Sequence, residues 1–336
     1  MSPEYLWNAW TRMLQSSPFE AVWGLLSSTL VCTALGAVIA LLLARVRPGR
    51  RSADSASASD RVALGVIALV VAVVWIGDIA LRGYAFDMSA TVSWWRFALA
   101  PAVVAAGLAV WVVTRRTAHP RRALDAAAAT RRTWTTFGPR RGIRVLAAAI
   151  AVTVGSVVIF GRMSTAVDPG LSAHIAWDVP NVAAPPIVMV FPGWAYGIPL
   201  LAGVVAMAAG VVLALHRNAL RPYSDGARLD RERSGRSDVA RDIVALGVAT
   251  VLVVLGGVLH MARSAATTSM TVLMESGREA VVDVVLPHAD LIMVGGVAAP
   301  ILEIAGSVLL TLLVLRAAAI VSARHRFPAR PVEVAT

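Results

Sequence analysis

Seven apolar segments, each long enough to form a membrane-crossing helix, dominate this 336-residue sequence. A helix needs roughly 20 apolar residues to cross the hydrocarbon layer, because every backbone group there must be paired within the segment or its neighbours. The segments are Ala21–Ala44, Val62–Leu81, Trp95–Thr114, Ile143–Gly161, Ala195–His216, Ile243–Ala262 and Leu291–Leu315. The pattern predicts an all-α fold: a polytopic integral membrane helix bundle with seven transmembrane helices.

The composition agrees with this class and excludes several mechanisms. Hydrophobic residues make up 57% of the chain and charged residues 15%, whereas soluble domains hold about 45–50% and about 25%. All 31 basic residues counted as Lys or Arg are arginines. Without lysine there is no Schiff base to retinal or pyridoxal phosphate and no phosphate-binding-loop lysine. A rhodopsin-like photoreceptor and a self-contained P-loop ATPase are therefore excluded, and we expect no cofactor.

The arginines predict the orientation of the chain. Of the 31, 25 lie in the connections after the first, third and fifth segments or at the C-terminal end. Loops rich in arginine stay in the cytoplasm. We therefore expect an extracytoplasmic N-terminus, a cytoplasmic C-terminus and a plasma-membrane location. Residues 1–20 are predicted to form an extracytoplasmic interfacial segment, residues 21–316 the membrane domain and residues 317–336 a cytoplasmic tail.

Two connections carry further expectations. The apolar stretch Val182–Pro192 is too short to span and contains three prolines, so it is predicted to be an extracytoplasmic loop or a re-entrant piece packed on protein. The connection Arg217–Asp242 mixes arginine with aspartate and glutamate, which is typical of a solvated linker.

Small residues at every fourth position predict helix contact faces, since small side chains let backbones approach closely in lipid. Such stripes occur in the first, third and fifth segments: Gly24, Ser28, Cys32, Gly36 and Ala40; Ala98, Ala102 and Ala106; Ala202, Ala206 and Gly210. Cys32, the only cysteine, is interpreted as a packing residue, because a lone thiol has no disulfide partner.

Glu303 is the carboxylate that most needs an explanation, because it lies at the centre of the seventh segment. A charge at that depth costs at least about 2.5 kcal/mol. One interpretation is a proton- or cation-coupling group, or a substrate contact, with Ser307 and Thr311 continuing a polar line toward the cytoplasm. The alternative is a protonated structural glutamate hydrogen-bonded between helices.

Ionisable residues also collect at the predicted outer ends of the helices: Asp78, Arg82, Arg96, Arg162, His260 and Arg263. They could line a vestibule for an anionic substrate, with Asp78 and His260 exchanging protons. Alternatively, they pair with each other or with lipid phosphate.

The outer loops contain His174, Asp178 and His288, which are residue types suited to zinc binding or acid–base catalysis. Their spacing matches no established signature, and there is no His-Glu-x-x-His motif. They are weak candidates, and no metal site is expected.

Four arginine pairs mark the connection after the third segment: Arg115, Arg116, Arg121, Arg122, Arg131, Arg132, Arg140 and Arg141. Anionic lipid at the inner leaflet would attract each surface arginine by about 1 kcal/mol. A separately encoded cytoplasmic ATPase or another membrane subunit is the alternative partner. Nucleic-acid binding is not expected, because the basic residues flank membrane segments.

Three classes of function remain open. The first is a permease-like transporter or the membrane subunit of a transport or export system, with Glu303 as its central residue. The second is a membrane-embedded enzyme that acts on a lipid or lipid-linked substrate at the outer face, using His174, Asp178, His260 or His288. The third is a non-catalytic membrane scaffold.

Overall fold

The computed structural model describes residues 24–26, 28–46, 55–86, 88, 91–114, 137–166, 170–177, 186–221, 229–267, 269–273, 279–283 and 289–326. Within these residues the chain forms seven long helices and two antiparallel hairpins. The helices are α1 Thr29–Val46, α2 Ser55–Ala80, α3 Leu99–Thr114, α4 Arg140–Met163, α5 Trp194–Leu220, α6 Leu229–Ala266 and α7 Ala289–Arg326. A π-helical turn, Leu81–Ala85, continues α2. The all-α bundle predicted from hydropathy is therefore present.

Six of the seven helices are long and apolar enough to cross a membrane. The exception is α3, which has 16 residues and follows a turn at residues 94–98. The predicted third span, Trp95–Thr114, therefore begins four positions too early as a helix. The structure supports a multi-pass membrane protein with six spans by length, and a crossing by α3 stays a prediction.

Helix α6 is the centre of the bundle. It packs against α2, α3, α4, α5 and α7, while α1 lies outside it and contacts α7 and α2. Its sequence is rich in branched aliphatic residues and glycines, and every turn from Val239 to Ala265 has at least one buried side chain. A helix that is apolar all round is expected at such a buried position.

The helices alternate in direction, so the bundle has two ends. At one end, which we call the Arg-rich face, α2 is joined to α5, α6 and α7 by the ion pairs of Asp60 and Asp242. At the other end, the hairpin face, lie the hairpins β1 His174–Trp177 with β2 Ile187–Val190, and β3 Ser269–Leu273 with β4 Glu279–Asp283. The ion pair of Asp78 with Arg96 lies at this second end.

The described part of the stretch Val182–Pro192 forms one strand of a hairpin. Its residues Ile187–Val190 pair with His174–Trp177, with Trp177 opposite Ile187. In a two-stranded hairpin, the backbone groups that face the partner strand form hydrogen bonds with it. A short apolar run can therefore pair its backbone without forming a helix. Phe191, which follows this strand, is fully buried against Phe160 of α4. The described part is therefore a hairpin packed on the bundle, and its extracytoplasmic position stays a prediction.

Only one of the three predicted small-residue stripes is a contact face. Cys32, Gly36 and Ala40 are buried in α1, and a β-carbon at Gly36 would lie 2.6 Å from Ser307 Cβ. The other two predictions are wrong for most of their residues, since Ala102, Ala106, Ala202 and Ala206 are exposed. The contact between α3 and α5 instead pairs glycines of α5 with larger side chains of α3: Gly203 lies against Pro101, and Gly210 lies against Leu108.

The predicted solvated linker Arg217–Asp242 is also wrong in its described part. Helix α5 continues to Leu220 and α6 begins at Leu229. Asp242 and Arg236 are 3% and 7% exposed. Some of these charges are buried in ion pairs, as Asp242 is with Arg61 and Arg316, and others form exposed pairs along α6, such as Asp238 with Arg241. The composition alone cannot distinguish either arrangement from a hydrated loop.

Asp242 is the centre of that pairing. Arg61 donates to its Oδ2 at 2.9 Å from α2, and Arg316 donates to its Oδ1 at 3.0 Å from α7. Nearby, Asp60 is fully buried and accepts a hydrogen bond from Arg221, which follows α5. Buried carboxylates of this kind need direct partners, because their desolvation costs several kcal/mol each. The pairs fix the register of α2, α5, α6 and α7 at the Arg-rich face.

Candidate functional site

The site centres on Glu303, whose side chain is completely buried between α1, α6 and α7. Its Oε1 atom accepts a hydrogen bond of 3.1 Å from the hydroxyl of Thr29. The Nδ1 atom of His260 lies 3.6 Å from the same oxygen. The thiol of Cys32 also lies within interaction range of the carboxyl group. Two helices, α1 and α6, thus bring polar groups to a carboxyl group on α7 that the sequence singled out alone.

Glycine makes room for this carboxyl group. A β-carbon at Gly256 would lie 2.5 Å from Glu303 Cγ and 2.9 Å from the carbonyl oxygen of Ala299. One helical turn farther along α6, His260 extends past the same contact. The backbones of α6 and α7 therefore approach closely at Gly256, and only hydrogen fits between them.

Part of the hydrogen-bonding capacity at this site is unused. Glu303 Oε2 and His260 Nδ1 are buried and have no hydrogen-bond partner among the described residues. A neutral acid beside a neutral imidazole and a carboxylate beside an imidazolium carry the same net charge and differ by the position of one proton. The pair can therefore hold a proton on either side chain without changing its total charge.

The site lies off-centre in the bundle. Gly256, which marks its level on α6, is about 21 Å along the helix from Asp242 and about 10 Å from Arg263 at 1.5 Å per residue. Asp242 belongs to the Arg-rich face, and the stem of Arg263 packs on Gly296 near the start of α7. The sequence places Glu303 at the centre of its segment, but the structure places it nearer the hairpin face.

Ser307 and Thr311, which the sequence joins to Glu303 in a polar line, lie on the next two turns of α7. Ser307 is 4% exposed and faces α1 at Gly36. Thr311 is half-buried. Of this polar line, Glu303 and Ser307 are therefore buried at the contact between α1 and α7.

A second group of charges lies on the hairpin face. Asp78 is 3.8 Å from Arg82 Nε and 3.7 Å from Arg96 Nε, one contact for each carboxylate oxygen. Arg82 also donates to Ser93 Oγ at 2.6 Å and to the carbonyl of Thr91 at 3.0 Å. The predicted outer cluster therefore forms in part, from Asp78, Arg82 and Arg96.

The other members of the predicted outer cluster lie elsewhere. His260 faces Glu303 and not Asp78. Arg162 is exposed at the end of α4, and Arg263 is half-buried beside Gly296. The sequence indicates only that these residues lie at similar positions along their helices. In the structure they lie on different sides of the bundle, so they do not form one cluster.

The loop histidines do not assemble where the structure describes them. His174 lies in β1, opposite Val190, and its carbonyl accepts a hydrogen bond from Thr165. Asp178 and His288 lie outside the described residues. Within those residues no group of three His, Cys, Asp or Glu side chains could hold a metal ion.

Of the eight paired arginines, Arg140 and Arg141 are described, and both are exposed in the first turn of α4. This position is on the Arg-rich face, and contact with anionic lipid or a partner stays a prediction. Arg115, Arg116, Arg121, Arg122, Arg131 and Arg132 lie outside the described residues.

Sequence reasoning missed two residues of the main site, Thr29 and Gly256. Thr29 is a hydroxyl residue at the start of α1, one turn before Cys32, and this small-residue face was the available signal. Gly256 gave no usable signal, because its role is to leave space for a side chain from another helix. Comparisons with protein-family models, with curated proteins and with solved structures gave no match.

Proposed function

We propose that this chain is a permease-like transporter, or the membrane subunit of a transport or export system, in which Glu303 couples transport to a proton. The observation that carries the proposal is the fully buried carboxyl group of Glu303, with His260 Nδ1 at 3.6 Å and Oε2 without a described partner. Ionisable groups within membrane helices are costly and mark proton and substrate paths.

The geometry supports a proton relay more than a purely structural hydrogen bond. A structural glutamic acid would use both oxygens, since an unsatisfied buried polar atom costs about 1–3 kcal/mol. Here Thr29 satisfies one oxygen only. Glu303 Oε2 and the imidazole of His260 therefore provide two positions for one proton. Both lie nearer the hairpin face than the Arg-rich face.

We propose that the protein lies in the plasma membrane. In the proposed orientation, the hairpin face is extracytoplasmic and the Arg-rich face is cytoplasmic. This orientation rests on the distribution of the 31 arginines. In this orientation, Glu303 exchanges protons with the extracytoplasmic side over the shorter distance. A C-terminal reporter that is fluorescent only in the cytoplasm tests the orientation, and a dark reporter on correctly inserted protein contradicts it.

The experiment for transport uses proteoliposomes loaded with a pH-sensitive dye. Small carboxylates, amino acids, sugars and organic cations are added one at a time, and proton movement is recorded. At least one solute is expected to drive proton movement by the wild-type protein. Glu303→Gln is expected to reduce the rate of that movement by at least about tenfold, because an increase of about 1.4 kcal/mol in the activation free energy is enough for a tenfold loss. Asp230→Asn, a fully exposed carboxylate, is the control and keeps the wild-type rate.

On the Arg-rich face, we propose that Arg140 and Arg141 contact anionic lipid, together with the six paired arginines before them. A separately encoded ATPase is the partner that an export system would require. Chemical crosslinking in cells distinguishes the two, since a constant protein partner at this face supports the export subunit and lipid contact alone supports the carrier.

The second candidate is an enzyme that acts on a lipid or lipid-linked substrate at the outer face. One observation favours it: a carboxyl group and an imidazole at 3.6 Å form a general acid–base pair about 10 Å below the level of Arg263. Turnover of lipid extracts by the purified protein, lost in both Glu303→Gln and His260→Ala, would favour the enzyme. Solute-driven proton movement without lipid turnover favours the transporter.

A further inference from the structure

The group of charges on the hairpin face has more positive than negative charge. Asp78 is the one described carboxylate within ion-pair distance of Arg82 and Arg96. Both separations, 3.8 and 3.7 Å, exceed the usual length of a charge-assisted hydrogen bond. One carboxylate is thus shared by two guanidinium groups and holds neither closely.

The donors of these guanidinium groups are not fully used. A guanidinium carries five N–H groups. Arg82 directs its Nη2 to Ser93 and Thr91, but its Nη1 is buried and has no hydrogen-bond partner among the described residues. Arg96 packs against the ring of Phe97 at 5.2 Å from its centroid, and among the described residues it forms an ion pair with Asp78 at 3.7 Å.

Two further groups face this cluster from other helices. The hydroxyl of Tyr196, which is buried near the start of α5, lies within interaction range of Asp78, Arg82 and Arg96. Glu303 on α7 lies within electrostatic range of Arg96.

We propose that Arg82 and Arg96 bind the anionic group of the transported solute, a carboxylate or a phosphate, in competition with Asp78. Planar guanidinium groups match the oxygens of such anions, and an added negative charge neutralises the surplus positive charge of the cluster. The Tyr196 hydroxyl is the neutral donor of the site. This inference deepens the proposed transport function by naming the charge of its substrate.

The test is a binding measurement that needs no transport. The purified protein in nanodiscs of phosphatidylcholine is titrated with acetate and with inorganic phosphate at constant ionic strength, and its Tm is recorded, since a ligand that binds the folded state stabilises it. Nanodiscs that contain phosphatidylglycerol form a separate arm for the lipid source of the same chemistry. The wild-type protein is expected to show a Tm rise with at least one soluble anion.

Three variants give the test its direction. Arg96→Gln is expected to weaken anion binding by at least about tenfold, which corresponds to about 1.4 kcal/mol. Arg162→Gln, an exposed arginine of the same face, keeps wild-type binding. Asp78→Asn is expected to bind several times more tightly, because it removes the competing carboxylate; a residue needed only for structure would not show this gain.

The proposal is overturned if the wild-type protein gives no shift with either soluble anion, or if Asp78→Asn binds more weakly than wild type. It is also overturned if Arg96→Gln folds and binds as wild type does. A shift in phosphatidylglycerol alone overturns the assignment to a solute and identifies a lipid headgroup. Anion binding without proton movement contradicts the proposed transport function alone, whereas proton movement driven by a solute without anion binding contradicts this inference alone.

Discussion

Thr29 donates its hydroxyl hydrogen to Oε1 of Glu303 over 3.1 Å and so joins α1 to α7 at the level of the buried carboxyl group. The bond is near the hairpin-face end of α1, which begins at Thr29. Helix α1 packs mainly on α7 and to a smaller extent on α2, and this hydrogen bond adds a direct polar contact between the peripheral helix and the site.

The first prediction concerns Thr29 itself. Thr29→Val keeps the shape of the side chain but removes the hydroxyl that donates to Oε1 of Glu303. We expect a loss of about 1–3 kcal/mol in the free energy of unfolding, measured by thermal or denaturant unfolding in a defined detergent. Thr114→Val, an exposed threonine at the end of α3, is the matched control and is expected to change stability by less than about 0.5 kcal/mol. Equal effects of the two substitutions would contradict the role of the Thr29 bond.

The second prediction concerns the close approach of α6 and α7 at Gly256. In Gly256→Ala the new β-carbon would lie 2.5 Å from Glu303 Cγ, so the helices or the carboxyl group must shift. We expect a loss of about 1–3 kcal/mol of stability and altered proton movement in proteoliposomes. Gly155→Ala is the control, since nothing lies within 4 Å of the new β-carbon in α4, and helix propensity favours alanine by about 0.8–1 kcal/mol. A Gly256→Ala protein as stable and active as wild type would refute the tight contact.

The third prediction concerns the ion pairs on the Arg-rich face. Asp242→Asn leaves Arg61 and Arg316 without their shared carboxylate, and removal of one partner of a buried pair costs about 3–5 kcal/mol. The matched control is Asp238→Asn on the same helix, whose partner Arg241 lies 2.9 Å away in an exposed pair. Such pairs contribute about 0–1 kcal/mol. Unfolding of both variants in the same detergent gives the comparison, and similar losses would show that Asp242 does not hold the register of the helices.

The fourth prediction uses Cys32, the only cysteine of the chain, as a natural reporter of the site. It is fully buried, and its thiol donates to the carbonyl of Leu26 at 3.3 Å. Because thiol reactions require access to the sulfur, we expect N-ethylmaleimide to label native protein much more slowly than protein unfolded in sodium dodecyl sulfate. A cysteine at the exposed position of Ser264 in a Cys32→Ala background is the positive control. Rapid labelling of native Cys32 would contradict the packing of α1 on α7.

The fold could be predicted from the sequence because it depends on one-dimensional quantities. Segment length and hydropathy located all seven helices, and helix ends differ mainly where polar residues extend the helix beyond the apolar run, as in α6 from Leu229 and α7 to Arg326. Glu303 could be selected for the same reason, since a carboxylate in an apolar segment is visible in the sequence alone. The small-residue stripes were less informative, and two of three proved exposed, because spacing along one helix does not specify which face meets another.

Hydropathy by itself therefore determined a multi-pass helical protein and the residue most costly to bury. The tertiary structure decided which groups share its environment: Thr29 from α1, Gly256 and His260 from α6, and a level nearer the hairpin face. It also separated His260 from Asp78, and brought Asp242 to Arg61 and Arg316. The physical reason is that depth in the bundle follows from position along each helix, whereas contact depends on helix rotation and neighbours. Those are set by packing among residues that are distant in sequence.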